Sequence, residues 1–225
     1  MTDVVDVRDV ISRVFDRQGT RRERDREMPL GPKAQRTRAA IVDAAREVLG
    51  RQGYLPTSTA DIAAEAGVSL GTVYQYFRDR SDLVAELVHQ QVATMLRRTD
   101  TTWRIREGPD GLRRVLTNFV AAYAATTPMM AVWEEVAQVE PELADLRREL
   151  GRLFTAAVAA ELDAAVTGGV LAPALDPMLT ACALTAMVDR YCYVTYVFDP
   201  PQAQPSVDES AELLTRLWWG AIGLN

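Results

Sequence analysis

Residues 61–77 read Asp-Ile-Ala-Ala-Glu-Ala-Gly-Val-Ser-Leu-Gly-Thr-Val-Tyr-Gln-Tyr-Phe, and their second half concentrates side chains suited to contacts outside the chain. Val73 and Phe77 stand four residues apart and share one face of a helix, while Leu70, Thr72, Tyr74, Gln75 and Tyr76 point elsewhere. A helix this short that turns five large or polar groups to solvent needs a reason, and lying in the major groove of DNA supplies one. The elements that would position it precede it. Ile62, Ala63 and Ala66 give a first short helix its apolar stripe, and Ala63 is small enough for another helix to approach. Gly67 ends that helix where the backbone needs positive φ. Val68 then packs inward and Ser69 is a good N-cap for the outward-facing helix. The segment is read as two helices joined by a tight turn.

Catalytic chemistry has little to work with. The single histidine, His89, stands beside Gln90 and Gln91, with no cysteine or carboxylate at metal-ligand spacing. There is no phosphate-cradling glycine loop and no Gly-x-Ser-x-Gly elbow. Glu134 and Glu135 are adjacent, so on a helix they diverge. No catalytic residue, metal or cofactor is expected.

The run Ser69–Phe77, preceded by Asp61-Ile-Ala and Gly67-Val68 and followed by Arg80-Ser-Asp-Leu83, resembles the DNA-binding signature of TetR-family transcriptional regulators. Ile41–Leu49 with Gly53-Tyr54 is similar to that family's first helix and the turn after it, so the likeness covers residues 36–88 without a gap. It implies an all-α, nine-helix architecture: a three-helix DNA-binding domain, then a helical ligand-binding and dimerisation domain. Leu70, Gly71 and Thr72 would then sit where base edges are reached. Gly71 would allow close approach, and Thr72 would offer a hydroxyl to phosphate or base and a methyl to thymine. Tyr74 and Tyr76 match phosphate-contacting aromatic positions, and Gln75 could pair with an adenine edge. Arg80 stands where relatives place a lysine that grips the backbone. Thr57, Ser58 or Thr59 would cap the second helix and touch phosphate, as would Ser69 at the third. The chain departs from the common pattern at Leu70, where a lysine is frequent, and at Gln75, where a basic residue or histidine is frequent. Apolar contact and shape therefore carry more weight here than charge.

The net charge of −6 is unevenly spread. Residues 1–98 carry 16 basic and 14 acidic groups, a balance of +2, whereas residues 99–225 carry 9 and 17, a balance of −8. Acidity thus lies away from the helices expected to meet phosphate. Lys33, Arg36 and Arg38, then Arg78 and Arg80, flank those helices. Binding through so few cations should be steeply salt-dependent and should need a dimer.

Alanine-rich helical periodicity continues along the chain, with helices expected at roughly 34–51, 59–66, 70–77, 81–104, 110–125, 129–138, 142–167, 176–198 and 207–222. Gly and Pro punctuate them at Gly108-Pro109, Thr127-Pro128, Glu140-Pro141, Gly168-Gly169 and Pro200-Pro201. The chain divides into an N-terminal extension at 1–32, a helix-turn-helix domain at 33–80 and a ligand-binding and dimerisation domain at 81–225. Trp103, Phe119, Tyr123, Met129, Met130 and Trp133, with Met187, Tyr191 and Tyr193, would wall a cavity suited to a mainly apolar small molecule, although such residues equally make plain core. Asn118, Gln138 and Asp189 could orient a polar group, while Asp189 and Arg190 could equally form an ion pair. Ala181, Ala183, Leu184 and Val188 on one terminal helix, with Leu213, Leu214, Leu217, Trp218 and Ile222 on the other, suggest a two-fold dimer surface.

Within residues 1–32, Val4, Val7, Ile11 and Val14 trace a helical stripe before the mixed-charge run 21–27, and Met28 is an alternative start. No run of ~18 apolar residues crosses a membrane, and Cys182 and Cys192, ten apart on one expected helix, point in different directions. The expected protein is a cytoplasmic homodimer that binds a double-stranded palindromic operator and releases it on binding an apolar effector. An activator, or a TetR-like fold serving mainly as an interaction module, is the alternative.

Overall fold

The computed structural model of the protein describes residues 31–98, 103–172, 174–198 and 201–223. Nine α-helices and no strand occur among them. In chain order these are α1 (Pro32–Gln52), α2 (Thr59–Glu65), α3 (Leu70–Tyr76), α4 (Arg80–Arg98), α5 (Gly108–Ala124), α6 (Thr127–Val139), α7 (Pro141–Thr167), α8 (Pro177–Tyr193) and α9 (Val207–Ala221). The all-α, nine-helix expectation is therefore met, with ends within two residues of those expected except at the C-terminal ends of the fourth and eighth helices. The expectations for residues 1–30, including the Val4–Val14 stripe and Met28, lie outside the described residues, as does the side chain of His89.

Two differences from the expected helices have local causes. The fourth helix does not reach residue 104, because Arg104 is extended at φ −126 and ψ 131 and leads into a 3-10 turn, Ile105–Glu107. Glu161 holds it there, accepting from the Ile105 amide at 2.8 Å and from Arg104 Nη1 at 3.2 Å. The eighth helix does not run on to 198 as regular α-helix, because Val194–Phe198 form a π-helical turn. That looser turn carries Tyr196, whose hydroxyl shares Ser210 Oγ with the Tyr191 hydroxyl, at 2.9 and 3.0 Å.

The helices fall into two compact units. One comprises the described residues up to Thr94 together with 128–146. Its core takes Ile41, Val42, Ala45, Val48 and Leu49 from α1, Ile62 and Ala63 from α2, Val73 from α3, and Leu83, Val84, Leu87 and Val88 from α4, all under 5% exposed. Val132, Val136, Leu143 and Leu146 bring α6 and the start of α7 into the same unit. Gly53, at φ +81, makes the turn after α1, and a Cβ there would stand 2.9 Å from Glu135 Oε1. Glycine is needed at that point for both conformation and space.

The other unit comprises the described residues of 95–127 and 147–223. Within it α9 packs along α5. Leu112, Leu116, Val120, Leu162, Ala181, Leu184, Cys192, Leu214 and Trp218 are buried. Thr155 and Thr185 hydroxyls meet at 3.0 Å between α7 and α8, and Arg113 meets Glu212 at 3.3 Å between α5 and α9.

Candidate nucleic-acid interface

The turn between α2 and α3 is built by hydrogen bonds that the local sequence can make unaided. Ser58 caps α2: its hydroxyl accepts from the Asp61 amide at 3.2 Å, while the Asp61 carboxylate accepts the Ser58 amide at 2.8 Å. Hydrogen bonds from the Ser58 hydroxyl and amide hold the Asp61 carboxyl below its ordinary range. After α2, Val68 N donates to Ala63 O at 3.0 Å, with Gly67 at φ +65 as expected of a left-handed cap. Ser69 then caps α3, accepting from the Thr72 amide at 3.1 Å and meeting the Thr72 hydroxyl at 2.8 Å. Val73 and Phe77 are 1% and 0% exposed and fasten α3 to the core. Burying two such side chains contributes roughly 2–3 kcal/mol each, enough to hold a helix too short to stand alone.

What remains outside is the opposite face. Leu70, Gly71, Tyr74 and Gln75 are exposed, and Thr72 and Tyr76 are half-buried. Leu70 and Tyr74 each keep 41% of their surface. Lys33 and Arg36 are exposed on the first turns of α1, as is Ser58 at the start of α2.

Three residues expected at this surface are turned inward instead. Thr57 is 1% exposed; its hydroxyl donates to Gly53 O at 2.6 Å and accepts from Gln52 Nε2 at 3.2 Å, so it closes the turn after α1. Arg38 pairs with Glu86 of α4 at 2.9 Å, both side chains 14% exposed, and its guanidinium lies 5.2 Å from the Phe77 ring centre. Arg80 lies 3.9 Å over the Tyr54 ring and donates to the carbonyls of Tyr54, at 3.0 Å, and Thr57. The planar guanidinium suits this combination of stacking and two-carbonyl donation, for which a lysine would be a poor substitute. Arg38 and Arg80 thus position the helix-turn-helix from within.

The turn they hold has a further support that sequence reasoning missed. Glu135 of α6 accepts the Tyr54 amide at 2.8 Å, and Glu140 accepts the Tyr54 hydroxyl. Burial, and next the Glu140 carboxylate, push the Tyr54 phenol up to about 12. No local signal marks these glutamates, because their partner lies more than 80 positions earlier in the chain.

The residues expected to line a ligand cavity divide between the units. Trp103, Asn118, Phe119, Tyr123, Met187 and Tyr191 belong to one, Met130 and Trp133 to the other. Trp103 packs edge-on to Trp218 at 5.9 Å, and Phe119 meets Tyr123 at 6.1 Å. Met130, Trp133, Asn118 and Met187 are half-buried. Tyr191 is engaged with Ser210. Gln138 is exposed and donates to Glu134 O of its own helix at 3.3 Å. Asp189 pairs with Arg147 at 3.8 Å, while Arg190 lies 4.8 Å over Tyr193.

Much of the apolar surface assigned to dimerisation is instead core within the chain: Ala181, Leu184, Val188, Leu214, Trp218 and Ile222 are buried. Leu213 and Leu217 stay outside at 36% and 49%, joined by Met178 and Leu179 at 54% and 70%. Cys182 is exposed and Cys192 buried, and both are free thiols. No group of residues able to hold a metal ion occurs among the described residues, and no single described helix is long and apolar enough to cross a membrane.

Comparison with known proteins bears on both parts of the chain. The family model of the bacterial regulatory proteins of the tetR family matches residues 41–87, and that of the C-terminal region of BetI-type transcriptional repressors matches 109–213. Over 54 residues the chain is 44% identical to the HTH-type transcriptional regulator AcrR of Shigella flexneri, a match covering 24% of this chain and 25% of that one. Over 88 residues it is 42% identical to the HTH-type transcriptional repressor LfrR of Mycolicibacterium smegmatis, covering 36% and 43%. The chain therefore spans between a quarter and a half of these relatives' length. Among solved structures, NalD of Pseudomonas aeruginosa, the secondary repressor of the MexAB-OprM multidrug efflux pump, shares the fold with a TM-score of 0.67 at 20% identity, over 85% of this chain and 98% of that one.

Proposed function

The chain belongs to the TetR family of bacterial regulatory proteins, and from that we propose that it is a ligand-responsive repressor binding a palindromic operator as a homodimer. Its family and relatives are transcriptional regulators rather than enzymes. The observation that carries the reading is the exposed face Leu70, Gly71, Tyr74 and Gln75 on a helix whose other face, Val73 with the adjoining Phe77, is sealed in the core. α3 lies in the major groove, Lys33, Arg36 and Ser58 meet the flanking phosphates, and Tyr74 and Tyr76 add phosphate contacts from α3 itself. Functionally, residues 33–80 bind DNA, and residues 81–225 bind the effector and the second subunit.

Two-fold pairing through α8 and α9 sets the recognition helices about one turn of DNA apart, which accounts for a palindromic target. The exposed Leu179, Leu213 and Leu217 support that pairing. The effector is a mainly apolar small molecule held among Trp103, Phe119, Tyr123 and Met187, and the protein acts in the cytoplasm. Such a ligand releases the operator only through its preference for the releasing arrangement; hundredfold release needs about 2.7 kcal/mol of differential binding.

Selection of bound duplexes from a random pool by the purified protein, repeated at two salt concentrations, tests the reading. An enriched palindrome, bound in a salt-dependent manner and lost on Tyr74→Ala, supports it. Weak, uniform retention with no motif sinks it.

A further inference from the structure

α3 carries no charged residue, and its outward positions pair up one turn apart: Leu70 with Tyr74, and Gly71 with Gln75. An exposed leucine is a poor match for phosphate and for most base edges. On the floor of the major groove, guanine, cytosine and adenine offer hydrogen-bond donors and acceptors, and only thymine adds an apolar group, its C5 methyl. Leucine pressed on any other base edge would strip water from polar atoms without replacing their hydrogen bonds.

Gly71 supplies an independent observation. Its backbone is right-handed helix, not the positive-φ conformation of Gly53 or Gly67. A Cβ there would meet nothing closer than Ser69 Oγ at 3.8 Å. Among the described residues nothing requires glycine at this position, and glycine inside a helix weakens it relative to alanine. A surface that must come close to the start of α3, as a bound duplex would, accounts for a glycine here. The Thr72 hydroxyl, meanwhile, is engaged with Ser69 Oγ in the cap.

We propose that Leu70 reads a thymine methyl in each half-site and that Gly71 is the gap that brings α3 close enough for it to do so. The inference rests on the DNA-binding reading above and adds the base that is read.

The test uses the selected operator, resynthesised with deoxyuridine in place of thymidine at one symmetric pair of positions at a time. Base pairing is kept and only the methyl is removed. One pair should weaken binding by about tenfold, one methyl being removed from each half-site. With Leu70→Ala protein that sensitivity should vanish, while its melting temperature stays close to that of the unaltered chain because Leu70 is exposed. Gly71→Ala should lower affinity for the thymine operator without lowering the melting temperature. The proposal is overturned if every deoxyuridine operator binds as well as its parent, or if the sensitivity survives in Leu70→Ala. A selection that yields no operator removes the DNA-binding reading itself, an outcome distinct from a tight operator indifferent to its methyls.

Discussion

Tyr54 gathers more structural duties than any other residue of its turn. Its ring carries Arg80, its hydroxyl meets Glu140, its amide meets Glu135 and its carbonyl accepts from Arg80. Tyr54→Phe keeps the stacking surface but leaves Glu140 without its donor, and should cost about 1–2 kcal/mol in denaturant unfolding. The phenol's raised pKa gives a second check. A group whose pKa is higher in the folded state stabilises fully below its ordinary value, so this contribution is intact up to pH 10.0 and fades as pH rises toward about 12. Alkaline unfolding followed by tyrosinate absorbance should therefore begin in that window in the parent chain, and Tyr54→Phe should lack this step.

Arg80 separates a structural from a DNA-binding role. In Arg80→Ala both the charge and the stacked, two-carbonyl geometry are lost. We expect stability to fall by about 1–2 kcal/mol with the salt slope of operator binding unchanged. Were the guanidinium bound to a phosphate instead, Arg80→Ala would reduce that slope by about one.

At the scale of elements, short helices depend on their ends. α2 and α3 have seven residues each and begin after Ser58 and Ser69. Ser58→Ala removes a reciprocal cap and should cost about 1 kcal/mol by thermal unfolding. A similar effect is expected at Ser206, which forms the same arrangement with Glu209 at the start of α9. The π-helical turn after α8 is a different kind of feature. Tyr196, carried on this turn, shares Ser210 Oγ with Tyr191, so the looser winding comes with a cluster of three satisfied hydroxyls.

For the whole molecule, the prediction concerns assembly. Leu179, Leu213 and Leu217 leave apolar surface on the last two helices that the other described residues do not cover. A charge there, as in Leu217→Glu, should shift a dimer toward monomer in sedimentation while circular dichroism stays helical, because the position is half exposed. On the proposed DNA-binding reading, operator affinity should fall with it, because a single subunit offers few cations to phosphate. A variant that stays dimeric would put the pairing surface elsewhere.

The amino-acid sequence by itself determined the helices, most of their ends and the outward face of α3. Those follow from short-range rules: apolar spacing along one chain segment, serine before a helix, glycine where φ turns positive and proline where a helix must stop. Val73 and Phe77 were legible as core because helical period alone makes them share a face. Tertiary structure alone decided which polar residues were already taken. Arg38 and Arg80 look like surface cations in the chain, yet they are engaged by Glu86 and the Tyr54–Thr57 turn. Likewise Leu184, Leu214 and Trp218 became core through packing within their unit, where α9 lies along α5. Neither outcome has a local pattern, since a hydrogen-bond donor or an apolar side chain has many partners available in sequence and only the folded chain brings one of them within reach.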